Sequence, residues 1–128
     1  MAPVLRAIAV TYPGRPDQAG HVRADLRRIL DGCPIADDVI LCASELAANA
    51  ALHSDSRNRG GTFAVRAEIR PGSYVQIAVE DDGGPWIEQA PDPARGRGLD
   101  IVRALATDWG TNTSPDSRTV WARLNWTA

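Results

Sequence analysis

The chain has 128 residues, a formal net charge of −2 and a hydrophobic content of 44%. This length is typical of one domain, so we expect residues 1–128 to fold as a single unit. The slightly negative charge argues against a nucleic-acid binder that depends on phosphate contacts. No apolar run approaches the roughly 18 residues of a membrane span, and the N-terminus lacks a signal-peptide core. We therefore expect a cytoplasmic protein that contacts neither nucleic acid nor a membrane.

The first half of the chain predicts one strand and two helices. Residues 6–12 alternate as a strand does, and Pro13 follows them. Apolar residues recur at helical spacing over residues 16–30, and a second helix is expected over residues 36–53. The apolar side of this second helix comprises Val39, Ala43, Leu46 and Ala50. The two cysteines, Cys33 and Cys42, are not spaced as a metal motif, which indicates buried or half-buried thiols.

The second half of the chain predicts further strands and one more helix. Residues 62–69 and 74–80 indicate two strands, and residues 98–106 indicate a helix. Two last strands are expected over residues 108–113 and 119–126, with a turn between them. The sequence thus predicts an α+β fold. Its form is a two-layer sandwich, with a mixed, mostly antiparallel sheet of four or five strands and three helices on one face.

The second predicted helix carries a polar stripe. Glu45, Asn49 and His53 are spaced at i, i+4 and i+8, so they share one side of the helix. A carboxylate there can take a proton from an attacking hydroxyl, and an amide oxygen is a suitable ligand for Mg²⁺. His53 could donate to a phosphate. The alternative is the solvated face of an ordinary amphipathic helix.

An acidic turn follows the strand over residues 74–80. Asp81 comes just after the strand, where a carboxylate can accept a hydrogen bond from the exocyclic amino group of adenine. Gly83 would let the backbone approach a flat ring closely. The alternative is an ordinary hairpin turn, for which Asp and Gly are well suited.

Two glycines precede the third predicted helix. Gly96 and Gly98 would let backbone N–H groups converge on a phosphate at the helix N-terminus. Arg95 or Arg97 could add positive charge there, or could be solvated loop residues. The Walker pattern and the Rossmann fingerprint are both absent from this segment.

In this order and at these separations, the three segments resemble the GHKL (Bergerat-fold) ATP-binding superfamily. The small anti-sigma-factor serine/threonine kinases of bacteria are the closest in pattern. The stripe of Glu45, Asn49 and His53 looks like the N box of that superfamily, and Asp81 with Gly83 looks like its G1 box. Gly96, Gly98 and Leu99 look like the G2 box, and the segment around Thr119 is similar to the region whose Thr helps bind adenine.

The resemblance implies ATP and Mg²⁺ as cofactors, and it implies a role for each matching residue. Asp81, with Gly83 and Thr119, would bind adenine; Asn49 would bind Mg²⁺. The start of the third helix would hold phosphate. Glu45 would be the catalytic base that activates a serine hydroxyl. The remaining phosphate-site candidates are His53, Arg95, Gly96, Arg97, Gly98 and Leu99.

Two functions follow from the resemblance. In the first, the protein is an anti-sigma-type regulator that binds a sigma factor and phosphorylates a partner of the STAS class, and the resemblance suggests a homodimer. In the second, it is a nucleotide-gated protein-binding module without significant kinase activity. The short segment between Trp86 and Gly96, which contains two prolines, favours the second function. The sequence leaves open whether Trp86 lies at the site or at an interface.

Overall fold

The computed structural model describes residues 6–53, 60–83 and 98–127. Within these ranges no helix is long and apolar enough to cross a membrane. The elements follow one another in the predicted order. They are β1 (Arg6–Pro13), a 3-10 turn (Pro16–Gln18), α1 (Ala19–Ile29), α2 (Ala36–His53), β2 (Thr62–Arg70), β3 (Tyr74–Asp81), α3 (Gly98–Leu105), β4 (Asp108–Ser114) and β5 (Ser117–Asn125).

The described strands form one five-stranded sheet in the order β1-β2-β3-β5-β4. Every pairing in this sheet is antiparallel, so the sheet is more regular than the mixed one that the sequence predicts. The chain leaves the centre of the sheet after β3 and forms α3. It then returns through the edge strand β4, and β5 pairs beside β3. The predicted α+β fold is confirmed.

The first helix begins differently from its prediction. The predicted helix over residues 16–30 opens with the 3-10 turn and becomes an α-helix only at Ala19. Pro16 is at the first position of this turn, where proline is favoured because no hydrogen bond needs its missing N–H. The helix is closed by the N–H of Leu30, which donates to the carbonyl of Leu26 at 2.8 Å. The apolar spacing thus located the helix, but not the geometry of its first turn.

The core lies between the sheet and the helices. Burial alternates along β3, as expected for a strand with one covered face. Helix α2 packs against α1, α3 and β3, and the whole predicted apolar side of α2 is buried. The central core side chains are Val22 of α1, Val39, Ala43, Leu46 and Ala50 of α2, Val75, Ile77 and Val79 of β3, and Val102 of α3.

The opposite face of the sheet is polar and partly exposed. Arg123 of β5 donates from Nε to Gln76 Oε1 at 2.9 Å and lies over the ring of Tyr74, 4.0 Å from its centroid. Trp121, on the same face, contacts Gly110 so closely that a Cβ at position 110 would be 3.0 Å from the indole. Trp109 and Trp126 instead pack against the core. These three tryptophans are therefore packing residues.

Candidate functional site

The predicted polar stripe lies on α2 at the border of the core. Glu45 and Asn49 are both half-buried, while the adjacent Leu46 and Ala50 are only 2% and 1% exposed. This placement leaves the carboxylate and the amide accessible at one edge of the packed face of the helix. His53 is the last residue of α2, and its side chain lies outside the described part of the structure.

Glu45 also affects the electrostatics of the helix interior. Burial raises the pKa of the Cys42 thiol to about 11, and the negative charges of Asp38 and Glu45 add to this shift. The Cys42 side chain is fully buried, so at neutral pH it is a protonated, apolar packing group. Cys33 is half-buried, and burial raises its pKa as well. Both observations agree with the interpretation of the cysteines as structural thiols.

Asp81 is the last residue of β3 and lies on the buried face of the sheet. Its Oδ1 accepts a hydrogen bond from the N–H of Gly83 at 2.8 Å. Gly83 has a φ of +71°, a conformation that side chains other than hydrogen disfavour. A Cβ at this position would be 3.4 Å from the backbone nitrogen of Ser117, at the start of β5. The turn after β3 therefore lies directly beside the beginning of β5.

The structure adds to this region one residue to which the sequence motifs assign no role. Arg118 of β5 pairs directly with Asp81 in the strand register, and its Nη2 donates to Asp81 Oδ2 at 2.9 Å. The side chains of Arg118 and Asp81 are only 12% and 3% exposed. The Nε–H of this guanidinium is buried and makes no hydrogen bond within the described ranges. A sequence signal existed, since Arg118 alternates in phase with the apolar Val120, Ala122 and Leu124.

The structure does not bring Thr119 to Asp81. Successive residues of a strand point to opposite faces, and Thr119 pairs with Glu80 on the polar face of the sheet. There its Oγ1 is 3.4 Å from Glu80 Oε2. Leu99, in the first turn of α3, is partly buried against the core, so it contributes packing at the start of that helix.

The remaining candidates lie mostly outside the described residues. Arg95, Gly96 and Arg97 are outside, and so is Trp86. Gly98 is the first residue of α3, where the sequence places the helix start. The predicted roles of these residues in phosphate binding stay predictions.

The described donors fit a magnesium nucleotide chemically. A carboxylate has about four lone-pair positions, and the two hydrogen bonds above leave Asp81 able to accept from a base. The Asn49 amide oxygen matches the preference of Mg²⁺ for oxygen ligands, which it combines with water and phosphate oxygens. Among the described residues no group of three or more His, Cys, Asp or Glu side chains gathers as a metal site.

A comparison with known protein families identifies the class to which this fold belongs. A family model described as the histidine kinase-like ATPase domain matches residues 12–124. Since the match covers nearly the whole chain, the protein belongs to this family. Membership implies ATP binding, usually with Mg²⁺. No curated protein shows a significant sequence match.

Solved structures with a similar fold come from larger bacterial proteins. The RsbU and RsbW domains of Rv1364c from Mycobacterium tuberculosis match with a TM-score of 0.71 and 22% identity, over 93% of this chain and 32% of that chain. The blue-light activated histidine kinase of Erythrobacter litoralis EL346 matches with a TM-score of 0.59 and 20% identity, over 87% of this chain and 41% of that one. A structure of the histidine kinase domain of the same protein gives a TM-score of 0.55 and 19% identity, over 89% of this chain and 61% of that one. The chain thus spans between about a third and three-fifths of the solved chains that it resembles.

Proposed function

We propose that this domain binds Mg–ATP and transfers the γ-phosphate to a serine or threonine hydroxyl of a STAS-type partner protein, as part of an anti-sigma regulatory switch. The observation that carries the proposal is the half-exposed pair of Glu45 and Asn49 on α2. Helix α2 packs on β3, the strand that ends at the buried Asp81. The family membership and the fold of the RsbU and RsbW domains of Rv1364c support the same conclusion.

The base-binding end of the proposed site is the turn after β3. Asp81 accepts a hydrogen bond from the amino group of the base, and Gly83 holds the carboxylate in place through its N–H. Burial makes this contact selective, because a base that lacks the amino group would leave a buried carboxylate lone pair without a hydrogen-bond donor. This end determines which nucleotide is bound.

The phosphate end is the stripe on α2. The Asn49 oxygen would hold Mg²⁺, which would supply the neutralisation of phosphate charge that phosphoryl transfer requires besides positioning. Glu45 takes the proton of the partner's serine or threonine hydroxyl while the oxygen of that hydroxyl bonds to the γ-phosphorus. The bond from that phosphorus to the bridging oxygen of ADP breaks in the same displacement, so ADP leaves. The half-exposed position of Glu45 suits a hydroxyl that another protein delivers.

The test is phosphate transfer in a purified system. The protein is incubated with radiolabelled ATP, Mg²⁺ and candidate STAS-domain partners, and label on the partner is measured. We expect Glu45→Gln to abolish transfer and to leave ATP binding within about threefold of the unaltered protein, because the base acts in the transfer step. Glu68→Gln, on the polar face of the sheet, is the matched control and should transfer normally. Absence of label on every partner would contradict the kinase proposal.

A second function is favoured by one sequence feature. The segment between Trp86 and Gly96 is short and contains Pro91 and Pro93, which limits how it can cover bound phosphates. In this alternative, ATP controls the binding of the sigma factor or the STAS partner without transfer. The same assay separates the two functions: partner binding that depends on ATP, without label transfer and without any effect of Glu45→Gln, supports the alternative.

A further inference from the structure

The buried end of the sheet presents two charged groups side by side. The Asp81 carboxylate and the Arg118 guanidinium lie on the same face, with Oδ2 and Nη2 2.9 Å apart. The turn at Gly83 and the start of β5 at Ser117 adjoin them. Whatever binds to Asp81 from this side therefore meets Arg118 as well.

A ligand that displaced Arg118 from Asp81 would face a large cost. Removing one partner from a buried ion pair leaves an uncompensated charge, which is strongly unfavourable. A ligand that bonds to both groups avoids this cost. Both have capacity for it, since a carboxylate has about four lone-pair positions and a guanidinium has five N–H donors. The favoured ligand thus carries a hydrogen-bond donor next to an acceptor.

The presence of Arg118 changes which purine such a site accepts. A carboxylate alone favours adenine, because it accepts a hydrogen bond from the amino group. It disfavours guanine, because the carboxylate and the keto oxygen O6 are both acceptors. Beside a guanidinium, O6 meets a donor while the N1–H and the amino group of guanine meet the carboxylate. Arginine on the O6 and N7 atoms of guanine is the commonest specific contact between an amino acid and a base.

We propose that Arg118 is a base-recognition residue, and that together with Asp81 it makes the site accept guanine nucleotides as well as adenine nucleotides. This rests on the proposed function, in which Asp81 holds the base. Arg118 supplies the donor to O6 of guanine or to a ring nitrogen of adenine, and Asp81 supplies the acceptor in both cases. No covalent step is involved.

The experiment is calorimetric titration of Mg–ATP, Mg–GTP and Mg–inosine triphosphate into the unaltered protein, Arg118→Met and Arg123→Met. We expect the unaltered protein to bind GTP within about tenfold of ATP, and inosine triphosphate, which keeps O6, to follow GTP. Arg118→Met should lose at least about tenfold more affinity for GTP than for ATP, because O6 of guanine would then face the Asp81 carboxylate without a donor, whereas the amino group of adenine would keep its acceptor. Arg123→Met, on the opposite face of the same strand, should keep the ratio.

The outcomes separate this inference from the proposed function. If the unaltered protein binds ATP but discriminates against both keto nucleotides by more than about a hundredfold, the inference is wrong and the proposed function stands. If Arg118→Met binds ATP more tightly with no change in the ratio, Arg118 competes with the base and the inference is again wrong. If neither nucleotide binds, the proposed function fails and the inference fails with it. The comparison on the unaltered protein needs no variant to fold.

Discussion

Asp81 and Thr119 lie on opposite faces of the sheet, although their strands are paired. The register joins Asp81 to Arg118 and Glu80 to Thr119, so Asp81 points toward the helices and Thr119 points toward the polar face. A strand residue cannot reach across the sheet to the other face. Of the two strand residues that the resemblance assigns to adenine, only Asp81 is therefore on the side of α2.

The first prediction concerns this pair. Asp81→Asn should weaken Mg–ATP binding by about tenfold or more, because an ionised acceptor in a buried position is lost. Thr119→Val replaces the hydroxyl with a methyl group and nearly keeps the shape of the side chain. This variant should leave the affinity within about twofold. Calorimetric titration measures both. A large loss of affinity in Thr119→Val would show that the base binds from the polar face, against the placement of Asp81.

The second prediction concerns two glycines with the same backbone conformation. Gly83 has a φ of +71° and Gly72 has a φ of +80°. Replacing either with Ala should lower the free energy of unfolding by about 1 kcal/mol, because a side chain disfavours this region. Neither new Cβ would meet a severe clash, since the nearest atom is 3.4 Å away at position 83 and nothing lies within 4 Å at position 72.

Nucleotide affinity should distinguish the two glycine variants. Only Gly83 holds the Asp81 carboxylate through its N–H, so a shift of the turn there should weaken Mg–ATP binding severalfold. Gly72→Ala serves as the control, because it introduces a similar backbone strain in the turn between β2 and β3, at the other end of β3 from Asp81. Urea denaturation and calorimetry together provide the test, and equal nucleotide affinity in both variants would contradict the role of the turn.

The sequence predicts the elements and the core well because both depend on local periodicity. The apolar side of α2 and the start of α3 at Gly98 follow from spacing alone. The role of Arg118 does not, since it depends on the register between β3 and β5, which are separated by a helix and an edge strand. A shift of one residue in a strand register moves every side chain to the other face. The register therefore decides whether Arg118 or Thr119 faces Asp81.

The third prediction concerns the energetics of the buried ion pair. Arg118→Met and Asp81→Asn should each be clearly destabilising, by about 3–5 kcal/mol for the loss of one partner of a buried pair. The double variant should cost much less than the sum, because neither charge is then left alone. Urea denaturation of the two single variants and the double variant measures the coupling.

An exposed ion pair in the same sheet supplies the control for the third prediction. Arg66 and Glu80 are 3.1 Å apart with side chains 47% and 40% exposed, so Arg66→Met should cost no more than about 1 kcal/mol. Additive effects of Arg118→Met and Asp81→Asn would mean that the two side chains do not stabilise each other in solution.

The last prediction concerns alkaline pH. Burial raises the pKa of Cys42 from 9.0 to about 11, so the unfolded chain loses this proton at a lower pH than the folded protein does. The stabilisation from Cys42 is therefore fully present below pH 9.0 and is lost as the pH rises toward 11. The expected slope is about 1.4 kcal/mol per pH unit.

Urea denaturation under reducing conditions should show this decline, and Cys42→Ala should flatten it. Tyr12, whose pKa is raised above its usual 10.0 by burial and by its hydrogen bond to Asp25, adds to the decline from about pH 10 upward, so Tyr12→Phe should flatten the slope there and keep the decline that begins near pH 9.0. The same slope in Cys42→Ala as in the unaltered protein would mean that the thiol ionises in the folded state.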